Sequence, residues 1–431
     1  MRILAGILLV SLITLSACGA PSSAAPSARV LMEAPPLATR AQPAATTPSP
    51  KPTVYASPTT STTPTPEATS TARQMKYRIV GYYPAWSNPP RDVAASELPG
   101  NMLTHVIYAF SSIDPKAHTC VYGAESVDKY HFKGLRQLKQ KHPHVKVLIA
   151  IGGAEPSKVF SDMAAEEKSR QKFVKSCIDL YLGAYPDVFD GIDMDWEFPG
   201  VGTGTRTEDK ENFTLLMKEF RRQLAERGQQ KKRAYLLTAA VPAGPGLAQK
   251  YELKELSRVL DWFNLMTYDF HGVWSKESNF TAPLYRAKDD PYPVNNVDAA
   301  VQAYLKAGVL PHKITLGIPF YGRGWTTATA DNHGLYQKLT QGKISGTAYT
   351  YRTLAENYVG KNDYKRFWSY GAKVPWLYNA AERVFITYED PDSIGYKANY
   401  IVDQYLGGAM IWHLSSDESV LLRVLYERLA Q

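Results

Sequence analysis

Cysteine is scarce in this chain: three residues in 431, at Cys18, Cys120 and Cys177. So few exclude a small fold stapled by disulfides. Cys120 lies in a loop-like stretch and Cys177 in a helix-patterned one, so the sequence leaves their pairing open. Long apolar runs are also missing. Beyond the first residues no stretch reaches the roughly 20 apolar residues of a spanning helix, which excludes a bundle of membrane helices. Neither sign of charge dominates, with 49 Lys and Arg against 41 Asp and Glu and a net charge of +8. Spread over this length the excess is too thin for the basic patch of a nucleic-acid binder. The nine histidines show no ligand spacing, so neither a metal centre nor a cofactor is expected.

What is present divides the chain in three. Residues 1–17 carry one Arg, a short apolar stretch and then small residues, the pattern of a signal peptide. The run Leu15-Ser16-Ala17-Cys18 resembles the bacterial lipoprotein signal, which implies that Cys18 becomes an acylated first residue and anchors an extracytoplasmic protein to a membrane. Residues 18–74 are rich in Ala, Pro, Ser and Thr, and the part from 19 to 73 holds 11 of the 29 prolines. Such a segment buries too little surface to offset its ordering entropy and reads as a disordered stem. The body, 75–431, is expected to be a monomer.

Within the body, eight short β-branched or aromatic runs fall at 78–84, 104–110, 145–151, 188–196, 235–241, 260–268, 313–320 and 408–414. Helical patterns lie between them. In 208–227, Phe213, Leu216, Met217, Phe220 and Leu224 share one face, and Gly228 can close the helix. Eight apolar strands alternating with helices indicate an α/β fold, a (β/α)8 TIM barrel. The interval before the last strand is too long for one helix. A small α+β insertion between strands seven and eight is therefore expected, at about 326–394, with strand-like pieces at 346–353 and 384–388.

The fourth strand carries the chemistry. In Asp190-Gly191-Ile192-Asp193-Met194-Asp195-Trp196-Glu197, side-chain alternation puts Asp193, Asp195 and Glu197 on one face, successive carboxyls roughly 6.6 Å apart. Three carboxyls pointing into a water-poor barrel repel, so a proton is shared and at least one pKa rises, which keeps a general acid protonated near neutrality. A calcium loop is the rival. It needs Gly at its sixth position and Glu at its twelfth, where Phe198 and Gly204 stand. Aromatic and polar residues crowd the other strand ends, at Tyr82, Tyr83 and Trp86, at Tyr268 to His271, at Phe320 to Arg323 and at Trp412. Apolar rings among polar groups suit a sugar.

The run Asp190-x-x-Asp193-x-Asp195-x-Glu197, with Gly152-Gly153, Met266-Thr267-Tyr268-Asp269 and Gly322-Arg323, resembles glycoside hydrolase family 18, the chitinases, over nearly all of residues 77–431. The insertion, with Val374 to Tyr378 and Tyr388 to Pro391, is similar to that of the deep-cleft subfamily. The resemblance implies hydrolysis of β-1,4-linked N-acetylglucosamine polymers with retention, the substrate's own acetamido oxygen being the nucleophile. It implies that Glu197 is the acid and then the base, that Asp195 orients the acetamido N–H, that Asp193 exchanges a proton with Asp195, and that Tyr268 holds the acetamido oxygen. Trp412 would floor the sugar site. Tyr82, Phe110, Asp269, Tyr321 and Arg323 would line it, with Trp86 and Trp274 as outer platforms. The same carboxyls would also serve peptidoglycan or N-glycan cores, and a lectin of this fold is a further reading, although Glu197 is retained here.

Two positions depart from the family pattern. Ala150 stands where a serine usually hydrogen-bonds the carboxyl at Asp193, and Ala154 stands where many chitinases place tryptophan, which favours soluble oligomers or accessible polymer over crystalline chitin. Restoring the hydroxyl with Ala150→Ser is expected to shift the pH–rate profile, and an unchanged profile would discard the idea.

Overall fold

The computed structural model describes residues 75–89, 91–153, 157–340 and 344–430. The leader 1–17, Cys18, the stem 18–74 and Ala154 lie outside the described residues.

Eight parallel strands close a barrel: β1 (Arg78–Pro84), β2 (His105–Asp114), β4 (Lys146–Gly153), β5 (Gly191–Trp196), β6 (Leu236–Pro242), β7 (Trp262–Met266), β8 (Ile314–Pro319) and β14 (Gly408–Trp412). Closure comes from β1, which pairs with both β14 and β2. These strands match the apolar runs because a strand buried on both faces reads as a continuous apolar segment. The sequence reading missed β3 (Thr119–Tyr122), which folds back antiparallel on β2.

Two packed layers result. Inside the barrel, Val80, Tyr82, Ile107, Ala109, Leu148, Ala150, Trp262 and Met410 form one cluster. Outside, side chains such as Ile192, Met194 and Trp196 join the layer between strands and helices, and Trp196 stacks on Phe160 with centroids 5.3 Å apart. The amphipathic helix runs Asp209–Lys231. It does not stop at Gly228 but continues one turn, and Lys232 takes the left-handed conformation (φ 51°) instead, its N–H donating to the Gly228 carbonyl.

Between β8 and β14 lies an antiparallel sheet of five strands: β9 (Tyr321–Thr326), β10 (Ser345–Thr350), β11 (Lys365–Ser369), β12 (Val374–Asn379) and β13 (Val384–Thr387), in the order β10-β9-β13-β12-β11. The insertion therefore begins at Tyr321, ahead of the expected boundary at 326. Only Phe320 separates β8 from β9, so Tyr321 and Arg323 sit on the first strand of the insertion and not at the end of a barrel strand. Phe280, from the segment after β7, enters the insertion's own core beside Trp325, Trp376 and Phe385. A second tie is fully buried: Lys397 on the helix Pro391–Asp403 pairs with Glu389 and donates to the Ala282 carbonyl at 2.8 Å.

Cys120 on β3 and Cys177, at the end of the helix Glu167–Cys177, are joined in a disulfide 57 residues apart in sequence. Replacing both by serine is expected to lower the unfolding free energy by about 3 kcal/mol. Urea denaturation checks this, and a midpoint unchanged from the parent's would count against the cross-link.

Candidate active site

The carboxyl strand divides differently from its sequence period. Asp193 and Asp195 are buried inside the barrel, whereas Glu197 lies one residue beyond the end of β5 and faces the open cleft. The strand ends at Trp196, so the expectation of three inward carboxyls holds for two.

Asp193 is enclosed by donors. Tyr82 donates to Oδ2 at 2.6 Å, Asn264 donates to Oδ1 at 3.0 Å, and Thr238 donates to the same oxygen. Asn264 is itself oriented by Trp262 Nε1 at 2.9 Å and the Thr315 hydroxyl at 2.8 Å, both donating to its Oδ1. Ala150 stands directly beside Asp193 in the β4–β5 register, so these donors take the place of the missing hydroxyl. Burial lifts the Asp193 carboxyl to about 6, with the three hydrogen bonds opposing the lift. The sequence reading missed Thr238, Asn264 and Thr315. The signal for them was a polar residue inside an otherwise apolar strand, where an unpaired polar group is unfavourable.

Asp195 is the less satisfied neighbour. Its Oδ1 is buried without a hydrogen-bond partner among the described residues. Burial first, then the charges of Glu197 and Asp193, push its carboxyl well above the usual range. Gly152 makes room for this strand. Its φ is +120°, and a Cβ there would lie 2.1 Å from the Asp195 carbonyl oxygen, so no side chain fits.

Glu197 touches solvent from the cleft side and is walled by protein elsewhere. That enclosure, with the negative charge of Asp269 second, raises its carboxyl to about 7. The lift is greatest when a ligand displaces the cleft water. Asp269, with φ +53°, is gripped by Arg323 through Nε at 2.8 Å and Nη2 at 2.7 Å, and accepts from the Tyr321 hydroxyl at 2.8 Å. The Tyr268 ring lies 6.2 Å from that of Tyr321, and its hydroxyl is 4.0 Å from Met410 Sδ.

Aromatic rings line one wall. Trp412 is 5.4 Å from Tyr82, stacks on Phe110 at 5.9 Å, and lies 6.2 Å from Trp86, which is 56% exposed. Trp274 is 62% exposed and makes no ring contact with this group; it covers Gly272. His413 stands edge-on behind Trp412 at 5.7 Å. His271 is buried and packs on Tyr292, its imidazole depressed to about 4 by that burial. Asp190, the first carboxyl of the motif, belongs to the opposite end of the barrel. Lys139 and Arg233 hold it in ion pairs, and it accepts from the Val147 N–H. It braces β4 against β5 and takes no part in the cleft.

A (β/α)8 barrel with high-pKa carboxyls at its C-terminal mouth, beside a wall of stacked rings, defines the glycoside hydrolases of this architecture. Comparison with known proteins narrows the class. The profile of Glycosyl hydrolases family 18 matches residues 78–417. Chitinase A1 of Niallia circulans is 38% identical over 404 residues, which cover 80% of this chain and 57% of that relative. Chitotriosidase-1 of Mus musculus is 35% identical over 79% of this chain and 73% of its own length. Among solved structures, chitinase ChiA74 from Bacillus thuringiensis is 37% identical with a TM-score of 0.76, covering 82% of this chain and 70% of that one. The chain belongs to glycosyl hydrolases family 18, and it spans just over half the length of Chitinase A1.

Asp269 raises the Glu197 pKa by repulsion, so Asp269→Asn lowers it, and the Arg323 charge left behind acts in the same direction. If the acid form of Glu197 is required for activity, the alkaline limb of kcat/KM is expected to move to lower pH by about half a unit or more. A limb that stays in place would show that Asp269 does not act on Glu197.

Proposed function

We propose that the protein is a chitinase that hydrolyses β-1,4 bonds between N-acetylglucosamine units with retention. The observation that carries this reading is the unpartnered, buried Asp195 Oδ1 beside a Glu197 carboxyl poised near neutrality. A buried acceptor with no donor is unfavourable until a ligand supplies one, and the acetamido N–H of N-acetylglucosamine is such a donor. With the sugar ring on Trp412, the acetamido oxygen lies toward the Tyr268 hydroxyl and attacks the anomeric carbon. Glu197 transfers its proton to the departing glycosidic oxygen. The resulting oxazolinium is opened by water that Glu197, now a carboxylate, deprotonates, so the anomeric configuration is kept. Asp193 takes up the proton that Asp195 gives away when it accepts the acetamido N–H, helped by a carboxyl already lifted to about 6.

The five-stranded insertion supports assignment to the deep-cleft subfamily. Its first strand carries Arg323 and Tyr321 to the site and makes one wall of a groove suited to a chitooligosaccharide. The leader pattern ending at Cys18 supports an acylated, extracytoplasmic protein, and the Cys120–Cys177 disulfide agrees with an oxidising compartment. No nucleic acid takes part, and the body works as a monomer.

The test uses chitopentaose and purified peptidoglycan, with products read by mass spectrometry. The parent is expected to cleave chitopentaose, and Glu197→Gln to lose at least about a hundredfold in kcat. Cleavage of peptidoglycan alone would move the protein to cell-wall turnover. Binding of oligosaccharide without cleavage by the parent would return it to the lectins.

A further inference from the structure

The barrel has a second end. The chain reaches β1 there through Met75, Lys76 and Tyr77, and the same face collects the turns that lead into every other barrel strand. Five lysines on it, Lys76, Lys146, Lys231, Lys232 and Lys306, are exposed and have no carboxylate partner among the described residues. They lead into β1, β4, β6 and β8, which alternate around the closed sheet, so the charge forms a ring and not one spot. Most of the carboxylates placed on this face are already used. Asp187 pairs with Arg136, Asp190 with Lys139 and Asp261 with Arg221, while Asp403 stands alone. Two apolar side chains project through the ring from the turns into β8 and β14: Leu310, 52% exposed, and Tyr405, 77% exposed.

Unpaired lysines around protruding apolar and aromatic groups are the composition of a surface that settles at a lipid headgroup layer. Tyr405 takes the left-handed backbone conformation (φ +55°) in the turn before β14. The stem of residues 18–74 joins the body on this same face, so an acylated Cys18 would tether the floor of the barrel, and not its mouth, toward the bilayer.

We propose that the floor of the barrel docks on the anionic phospholipid surface of the membrane that holds the anchor, with the cleft turned outward to its polymer. The proposal rests on the anchor reading given above. Lysine ammonium groups meet phosphate headgroups, Leu310 and Tyr405 enter the headgroup layer, and the acidic site stays at the far end of the barrel. The acyl chains at Cys18 hold the protein to the membrane, and the lysine-rich floor would set how the body lies on it.

The experiment uses the chain from position 18 onward carrying Cys18→Ser, so that no acyl chain contributes, in co-sedimentation with vesicles. Partition onto vesicles containing about one-third phosphatidylglycerol should exceed that onto phosphatidylcholine alone by at least about tenfold, and fall when salt is raised to about 0.5 M. The variant Lys146→Glu, Lys231→Glu, Lys232→Glu should lose this preference while hydrolysing soluble chitooligosaccharide at the parent's rate, which also shows that it folds. The variant Leu310→Ser, Tyr405→Asn should lose the part of the binding that survives salt. Equal partition onto both vesicles, or a triple variant that binds like the parent, would overturn the proposal. Capture of soluble polyphosphate without vesicle binding would overturn it too, in favour of an anionic polymer. Failure of the anchor reading shows separately, as an unmodified Cys18 in the mass spectrum of the chain from its native host, and leaves the vesicle result unaffected.

Discussion

Two carboxyls inside a closed barrel are the constraint on which the rest of this structure depends. Removing an ionised carboxylate from water costs several kcal/mol unless partners replace the solvent. The two neighbours meet that cost differently. Asp193 receives Tyr82, Thr238 and Asn264, from three different strands. Asp195 receives nothing on one oxygen and is raised well above the normal carboxylate range. This environment favours the protonated form of Asp195. The interior around it is correspondingly specialised: Ala109 and Ala150 leave space, Trp262 and Thr315 hold Asn264 in one orientation, and Gly152 lets β4 pass the Asp195 carbonyl.

The same electrostatics extends to the mouth through the insertion. Arg323 and Tyr321, on β9, hold Asp269 at the end of β7, and Asp269 in turn acts on Glu197. The wall of the cleft is thus tied to the carboxyl it helps to tune. On the other side of the insertion, the buried Lys397–Glu389 pair and the Ala282 carbonyl fasten its exit to the segment after β7, and Phe280 inserts into its core. Such a pair contributes little net stability compared with apolar packing but is very costly to break, so it fixes geometry more than it stabilises. The insertion is an extension of the barrel mouth, tied to it at both ends.

The two ends of the barrel carry different sets of charged groups. Asp193, Asp195, Glu197 and Asp269 lie toward the C-terminal ends of their strands, at the candidate site. At the opposite ends several carboxylates are held in ion pairs, such as Asp190 with Lys139 and Arg233, and five exposed lysines have no carboxylate partner among the described residues. A barrel allows it because the two sets of turns are independent: the strands determine the fold, and each end varies freely.

The eight barrel strands, the helix face of Phe213 to Leu224, and the alternation that separates Asp193 and Asp195 from Met194 and Trp196 could all be read without a structure. Each is a local periodicity, a property of consecutive residues on one strand or helix. The presence of an insertion was legible as surplus length. Its start at Tyr321 was not, because Phe320 is the only residue between two strands of different sheets. Only the tertiary structure decided that Glu197 leaves the strand for the cleft, that Asp190 braces the floor, and that Cys120 meets Cys177. Only it revealed Thr238 and Asn264, 45 and 71 residues from the carboxyl they serve. These contacts join elements that the fold brings together, β5 to its neighbour β6 and across the barrel to β7, and a residue's periodicity along its own strand carries no information about which distant element it will meet.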